Sequence, residues 1–371
     1  MKKVLITGSR GFLGKNLSAA LTRRDDVQLL RFDSDDDLLS LKTLLPDVEI
    51  IYHLAGVNRP ENDDDFEKQN AELTDAIVSQ IEELGIRPTI VFASSTQAIE
   101  NNPYGISKKR AEDVLIECSR RNIASVYIFR LTNVFGKWCR PNYNSVVATF
   151  CHNIAHEIEI AISDPAKEID LVYIDDIIAS FMKILAADRA VGKFSYIDSG
   201  PTKSITLGEL ADKIMYLHDI RKSLLMPDLS DDFMKHLYAT YLSYLEKCNF
   251  SYMLDLKKDE RGNLVELFKS EHFGQIFVST TRPGITRGNH YHDTKIEKFC
   301  VLKGEALIRL RHILDEEDIS YRVSGSKIEV VDIPPGYTHS IENLSNNEMV
   351  VIFWADQIFD PGNPDTHFCE V

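Results

Sequence analysis

The sequence predicts an α/β protein in two parts, a doubly wound parallel sheet over residues 1–245 and an all-β barrel over 246–371. Three observations carry this. Strand and helix patterns alternate through the first part, as in a parallel sheet covered by helices on both faces. A glycine triplet stands between the first strand and the first helix. Beyond residue 245 helical spacing fades, and short apolar strands separated by Gly, Pro and Asn turns replace it.

The elements follow in order. Residues 3–7 read as a short buried strand, followed by Gly8-x-x-Gly11-x-x-Gly14 and an apolar-periodic helix through Leu21. Strands are expected at 27–32 and 50–54, a helix at 69–85, and further strands at 89–93 and 125–130, with a helix near 175–186. Residues 204–245, rich in Leu and Tyr, read as helical and as the end of the first domain. In the second part strands are expected at 275–280, 298–302, 306–310, 328–333 and 349–354.

Composition narrows the function classes. With 42 Lys+Arg against 57 Asp+Glu the net charge is -15, which argues against binding a nucleic-acid backbone. Small anions remain possible ligands, because helix N-termini bind them locally. The six scattered cysteines form no C-x-x-C pair and read as reduced thiols. No apolar run reaches the roughly 18 residues of a membrane span. The opening lysines and apolar residues fit a buried strand better than a secretion signal, so a cytoplasmic protein is expected.

The glycine triplet fits a dinucleotide site. Gly8 permits the tight turn, Gly11 the approach of backbone to a pyrophosphate, and Gly14 close helix–strand packing. The second strand ends at Asp33, an acid suited to a ribose hydroxyl and so to NAD(H). Arg10 and Arg31 are suited to a 2′-phosphate and so to NADP(H).

Tyr104 and Lys108 are four residues apart, on one helix face. The ammonium is expected to lower the tyrosine's pKa and make it a proton donor or acceptor. With 14 tyrosines, about one chance Tyr-x-x-x-Lys match is expected, so position matters. Ser94, Ser95 and Thr96 lie just upstream at a strand's C-terminal end, where doubly wound sheets bind ligands. Ser95 is placed to hydrogen-bond a substrate oxygen, with Ser94 and Thr96 as alternatives.

TGSRGFLG (7–14), HLAG (53–56), FASST (92–96), YGISK (104–108) and LVYIDD (171–176) resemble the extended short-chain dehydrogenase/reductases acting on nucleotide sugars. The resemblance covers residues 1–245 and implies a Rossmann sheet. It implies Ser95, Tyr104 and Lys108 as a catalytic triad in which the tyrosine protonates the alkoxide and the lysine holds the nicotinamide ribose. It also implies cofactor contacts at Gly8, Arg10, Gly11, Phe12, Leu13, Gly14, Asp33, Leu54, Ala55, Gly56, Tyr104 and Lys108. Sugar 4,6-dehydratases of this family place an acid pair after the Ser/Thr. Here Thr96 and Gln97 stand there, which favours ketone reduction over dehydration. The segment 133–144 mixes amides, cations and aromatics. Asn133, Lys137, Trp138, Arg140 and Asn142 suit a nucleotide-sugar pocket, with rings on uracil and cations on the diphosphate.

The second part carries Gly284-x5-His290-x-His292-x4-Glu297-x6-Gly304, then Pro334-x-Gly336-x2-His339-x3-Asn343. Residues two apart on a strand share a face. His290, His292, Glu297 and His339 therefore predict a divalent-metal site inside a small barrel. Both motifs resemble the cupin family over 250–371, except that Ile328 replaces the usual leading glycine of the second. Zinc fits a Lewis-acid role beside a ketone. Lys298, Glu305 or a tyrosine are candidates to move a proton, and His53, His312 and His367 read as structural.

Both halves together, with GKWCRPNYNS (136–145) and GNHYHDTK (288–295), resemble the bifunctional capsular-polysaccharide UDP-sugar epimerase/reductases. That resemblance implies C3 epimerisation of a UDP-2-acetamido-2,6-dideoxy-4-ketohexose in the cupin. NADPH-dependent C4 reduction to the L-talose sugar then follows in the first domain. A homodimer is the assembly expected. A dTDP-4-ketosugar enzyme and a non-enzymatic NADP sensor are the alternatives.

Overall fold

The computed structural model describes residues 1–58, 62, 66–187, 192–254, 256–259, 262–265, 274–357 and 362–371. It divides into two compact units, Met1–Ser145 with Glu168–Ile205, and Val146–Lys167 with Thr206–Val371.

In the first unit the strands are β1 (Lys2–Thr7), β2 (Val27–Phe32), β3 (Ile50–His53), β4 (Thr89–Ser95), β5 (Ser125–Leu131), β6 (Asn133–Phe135), β7 (Glu168–Tyr173) and β8 (Phe194–Ile197). Six of them form one parallel sheet in the order β2-β1-β3-β4-β5-β8. The strands join through α1 (Phe12–Thr22), α2 (Leu41–Leu44), α3 (Leu73–Leu84) and α4 (Pro103–Arg120), with α6 (Ile174–Ala186) after β7. All seven residues of β4 are buried, as expected of a parallel strand covered on both faces. Leu5, Ile51, Ile90, Phe92, Val126 and Ile128 belong to one core cluster. Each such side chain contributes about 1.5–3 kcal/mol through burial. The strand order reverses between β1 and β3, so a ligand crevice is expected beyond the carboxyl ends of those two strands.

A small sheet adds β9 (Thr202–Thr206) beside β7 and β6. The helix α5 (Val146–Ala155) belongs to the second unit and has no counterpart in the sequence reading. There it packs with α7 (Leu207–Ser223) and α8 (Asp232–Leu242). By contacts these helices group with the barrel, although the sequence boundary near 245 assigns 206–242 to the first domain. Both charged and apolar contacts join them, Leu224 packing against Leu254, Cys300 and Val330. Arg221 on α7 bonds Asp332 at 2.5 Å, and Lys298 lies over the ring of Tyr238 on α8.

The remaining strands are β10 (Ser251–Met253), β11 (Leu256–Asp259), β12 (Gly262–Val265), β13 (Gln275–Thr281), β14 (Thr286–Tyr291), β15 (Glu297–Lys303), β16 (Glu305–His312), β17 (Asp318–Ser324), β18 (Glu329–Ile333), β19 (Tyr337–Asn343), β20 (Met349–Ala355) and β21 (His367–Phe368). They build two five-stranded sheets, β10-β18-β15-β20-β13 and β17-β16-β19-β14-β21, plus a β11-β12 hairpin. Pairing in both large sheets is antiparallel, matching the barrel expected from the turn pattern. No helix among the described residues is long and apolar enough to cross a membrane.

Candidate functional sites

The first site stands at the carboxyl ends of β1, β3 and β4. Gly8 leaves β1 in the left-handed region at φ +71°, and a Cβ there would lie 2.7 Å from the Ala55 Cα. A Cβ at Gly14 would lie 2.1 Å from the Gly8 carbonyl oxygen. Glycine is therefore required at both, and the turn presses against Leu54 and Ala55 after β3. Gly11 is the N-cap of α1, so Phe12 and Leu13 open the helix and no side chain covers its first amides. That backbone cradle, with a helix N-terminus facing it, fits a pyrophosphate.

Asp33 ends β2 and is claimed by the same turn. Its carboxylate accepts from the Ser9 hydroxyl at 2.5 Å and the Arg10 amide at 3.0 Å. The Arg10 guanidinium lies 3.4 Å from Asp33 and pairs with Asp35. The two residues that the sequence sets against each other over NAD(H) and NADP(H) thus form one ion pair.

Tyr104 and Lys108 lie on α4, whose N-cap Asn102 accepts from the Gly105 amide at 2.8 Å. Gly105 is obligatory, because a Cβ would lie 2.2 Å from the Gln97 carbonyl. The three candidate hydroxyls separate clearly. Ser94 donates to Glu112 at 2.6 Å, Thr96 reaches the Leu131 carbonyl at 3.5 Å, and Ser95 accepts from the Gln97 amide at 3.1 Å and stands near enough to Tyr104 to influence its phenol. Burial pushes the Tyr104 phenol above its usual pKa; Ser95 opposes this, and neighbouring Tyr143 adds to it. This corrects the expectation that Lys108 lowers it. The Lys108 ammonium instead donates to the Ala93 carbonyl at 3.1 Å, over the Phe92 ring. Burial lowers its pKa to about 8, with Glu112 opposing.

Two residues here escape sequence reasoning. Asn70 is buried, bonds Val57 twice and Ser107 once, and pins the turn after Gly56 to α4. A Cβ on Gly56 would lie 2.6 Å from Asn70 and 3.0 Å from the Lys108 ammonium. Glu112 is fully buried and accepts from Arg130, Ser94 and Tyr196. Nothing in the local pattern marks either, since each partner is remote in sequence. His53 is held between the Thr7 and Thr74 hydroxyls, and burial lowers it to about 3, as befits a structural histidine.

The 133–144 segment keeps its residues together, several of them held by partners within the protein. Asn133 donates to the Asp170 carbonyl at 3.1 Å. Lys137 is buried and donates to both oxygens of Asp175 at 2.8 and 2.9 Å, so its charge is matched by an acid rather than left for a diphosphate. Its ammonium also lies 5.4 Å from the Trp138 ring centroid, and exposed Arg140 lies 5.2 Å from that of Tyr143. Trp138 and Asn142 hold positive φ of 71° and 54°. A bulky residue in that region is strained, a condition that collects at functional loops.

The second site lies between the two sheets of the barrel. Ligand atoms of His290, His292, Glu297 and His339 all fall within 4.8 Å of one another. Glu297 opens β15 in one sheet; His290 on β14 pairs directly with His339 on β19 in the other. A bulge shifts the β14 register between Gly288 and His290, and Gly288 is needed because a Cβ would lie 2.7 Å from the His339 carbonyl.

The donor set fits a cation. The His292 Nδ1 faces the Asp365 carbonyl and the His339 Nδ1 the Tyr337 carbonyl. A carbonyl only accepts, so each neutral ring carries its proton there and turns the lone pair of Nε2 inward. Both buried Nε2 atoms face the same Glu297 oxygen, at 3.1 and 3.4 Å. Lone pairs facing a carboxylate are unfavourable until a positive charge stands between them. Burial, with His339 and His292 nearby, lowers His290 to about 4.

Lys298 and Glu305 do not join this cluster. Strand alternation turns Lys298 to the face opposite Glu297, where it bonds Asp332 at 2.5 Å. Glu305 is exposed and pairs with Arg322 at 3.0 Å.

The family model "NAD dependent epimerase/dehydratase family" matches residues 4–196, and "Polysaccharide biosynthesis C-terminal domain" matches 257–367. The chain is 43% identical over 369 residues, 100% of its length and 99% of the relative's, to a UDP-2-acetamido-2,6-beta-L-arabino-hexul-4-ose reductase of Pseudomonas aeruginosa. Among solved structures it resembles the capsular polysaccharide assembling protein CapF of Staphylococcus aureus. That match has TM-score 0.67, 44% identity, and coverage of 99% of this chain and 100% of the other. A UDP-N-acetylglucosamine 4-epimerase of Bacillus cereus shares the fold at TM-score 0.51 and 21% identity, covering 59% of this chain and 82% of that one.

Proposed function

The chain belongs to the NAD dependent epimerase/dehydratase family, and on that premise we propose that it converts a UDP-4-ketosugar in two steps. The barrel domain epimerises C3 of a UDP-2-acetamido-2,6-dideoxy-4-ketohexose. The first domain then reduces the C4 ketone with NADPH, giving UDP-2-acetamido-2,6-dideoxy-L-talose for capsular polysaccharide synthesis. The first domain is the parallel-sheet unit and the second the barrel unit, and the protein works as a cytoplasmic homodimer. The observation that carries the reading is that Ser95, Tyr104 and Lys108 come together at the end of β4, with the Lys108 ammonium on the Ala93 carbonyl.

In the reduction, Ser95 and Tyr104 hold the C4 oxygen. A bound nicotinamide would supply the hydride to C4, and Tyr104 would give its proton to the oxygen that Ser95 and Tyr104 hold. A phenol whose pKa lies above normal is protonated at neutral pH, as a donor must be. Gly8, Arg10, Gly11, Phe12, Leu13, Gly14, Asp33, Leu54, Ala55 and Gly56 line the cofactor's place. Arg10 supports the choice of NADPH, and Asp33 keeps NADH usable. Asn133, Trp138, Arg140 and Asn142 border the nucleotide sugar, while Lys137, paired with Asp175, braces the loop from behind.

In the epimerisation His290, His292, Glu297 and His339 hold a divalent metal, zinc by its chemistry. When bound it supplies a Lewis acid beside the ketone. The C4 ketone is what acidifies the C3 proton, so epimerisation precedes reduction.

The test follows the UDP-ketosugar in D2O, recording C3 deuteration and NADPH loss together. Tyr104→Phe is expected to slow reduction by about 10²–10⁴-fold and leave deuteration intact. His290→Ala is expected to abolish deuteration. Normal reduction by Tyr104→Phe would sink the assignment.

A further inference from the structure

None of the sequence motifs marks residues 365–370, yet three of the four clustered ligands are tied to them. The Asp365 carbonyl accepts from the His292 Nδ1. The Asp365 carboxylate accepts four more bonds, each 2.8 Å long, from the amides of Asp293, Thr294 and Lys295 and from the Thr294 hydroxyl. This carboxylate thereby fixes the turn leaving His292. Two residues on, β21 pairs with β14, placing Phe368 opposite His290 and His367 opposite Tyr291. The Cys369 amide donates to the Asn289 carbonyl at 2.9 Å, inside the bulge before His290. The Cys369 carbonyl accepts from the hydroxyl of Thr338, the neighbour of His339. Arg311 closes the far end by donating to the Glu370 carbonyl at 2.6 Å.

These contacts share one consequence. A metal-bound imidazole needs its other nitrogen held, because that bond sets which nitrogen offers the lone pair and where it points. We infer that residues 365–370 form a clasp that sets the metal affinity of the barrel site, with Asp365 as its principal positioning residue. The inference rests on the metal reading above and extends it to a segment remote in sequence from the ligands.

The experiment uses the full chain and Zn²⁺ alone. Affinity is read by competition with a chelator, and melting temperature with and without metal. Asp365→Ala keeps the carbonyl but releases the 293–295 turn, and is expected to weaken Zn²⁺ binding by about 10–100-fold. Asp365→Asn keeps one acceptor oxygen and should fall between it and the parent. A merely structural role would lower the melting temperature equally in both forms. The positioning role shrinks the rise that Zn²⁺ produces. A folded Asp365→Ala that binds Zn²⁺ as the parent does overturns the inference. Should that variant not fold, Thr338→Val, which removes only the Thr338–Cys369 bond, is expected to bind several-fold more weakly; parental affinity there overturns it too. His290→Ala separates the two ideas. If it also keeps full affinity, the metal reading itself has failed.

Discussion

In the parallel-sheet unit the charged groups aimed at a dinucleotide or diphosphate already hold one another. Arg10 pairs with Asp33, Lys137 with Asp175, and Lys108 donates to the Ala93 carbonyl. In the barrel the arrangement is the reverse. Two imidazole lone pairs face one carboxylate oxygen, with their protons committed on the outer side. The first site is satisfied by itself, and a ligand must exchange or extend existing bonds. The second brings three imidazoles and a carboxylate together around one point, a donor set that fits a cation. The difference separates residues that build the fold from residues held in place for a ligand, which tend to weaken it.

Paired substitutions can break this contrast. Lys137→Met leaves Asp175 without its partner. The expected cost is about 3 kcal/mol, the lower end for breaking a buried pair, because Asp175 keeps some solvent contact. Denaturant unfolding measures it, and KM for the nucleotide sugar should stay unchanged. His290→Ala should do the opposite in the metal-free protein, leaving its melting temperature level or raised. A stable Lys137→Met with a raised KM would return that lysine to the diphosphate and erase the contrast.

What was legible in the sequence follows the same division. The glycine turn, YGISK and the two histidine segments are local patterns, because a turn, a helix face or a strand face needs specific residues within a few positions. The partners that make those patterns work are distant. Asp175 lies 38 residues from Lys137, and Asp365 lies 73 from His292. Period and spacing carry no trace of such pairs. Lys298 illustrates the error this invites. It adjoins Glu297 in sequence and suggests proton transfer, yet the two-residue repeat of a strand turns it to the other face, against Asp332. The helices of 206–242 likewise show nothing in their own pattern of the barrel, because the ties to it run to remote residues: Arg221 to Asp332, Lys235 to Asp356 and Tyr238 under Lys298.

The Arg10–Asp33 pair sharpens the first half of the comparison. If the ligand exchanges existing bonds, a 2′-phosphate takes the guanidinium from Asp33 and Asp35. Arg10→Ala should then lower the NADPH-over-NADH ratio of kcat/KM by about tenfold, in line with one charge-assisted hydrogen bond. A ratio left unmoved would mean that Arg10 only braces the acidic loop.

The smallest effect separates the two sites by pH. Burial lowers Lys108 to about 8, so its charged form is lost as pH rises through that value. Burial also lowers His290, to about 4, so its lone pair is lost to a proton only as pH falls toward that value. The signs differ because one site needs a proton on nitrogen and the other needs it off. Reduction should therefore fail on the alkaline side, halved near pH 8. C3 deuterium exchange should fail on the acid side and persist where reduction fades. Tyr104 does not set the alkaline limit, since burial moves it upward, away from neutrality. Lys108→Arg, whose guanidinium stays charged up to about pH 12, should lower the overall rate yet move the alkaline limb upward. A limb that stays near pH 8 in that variant would place the titrating group elsewhere, and the self-contained charge of the first site would no longer rest on Lys108.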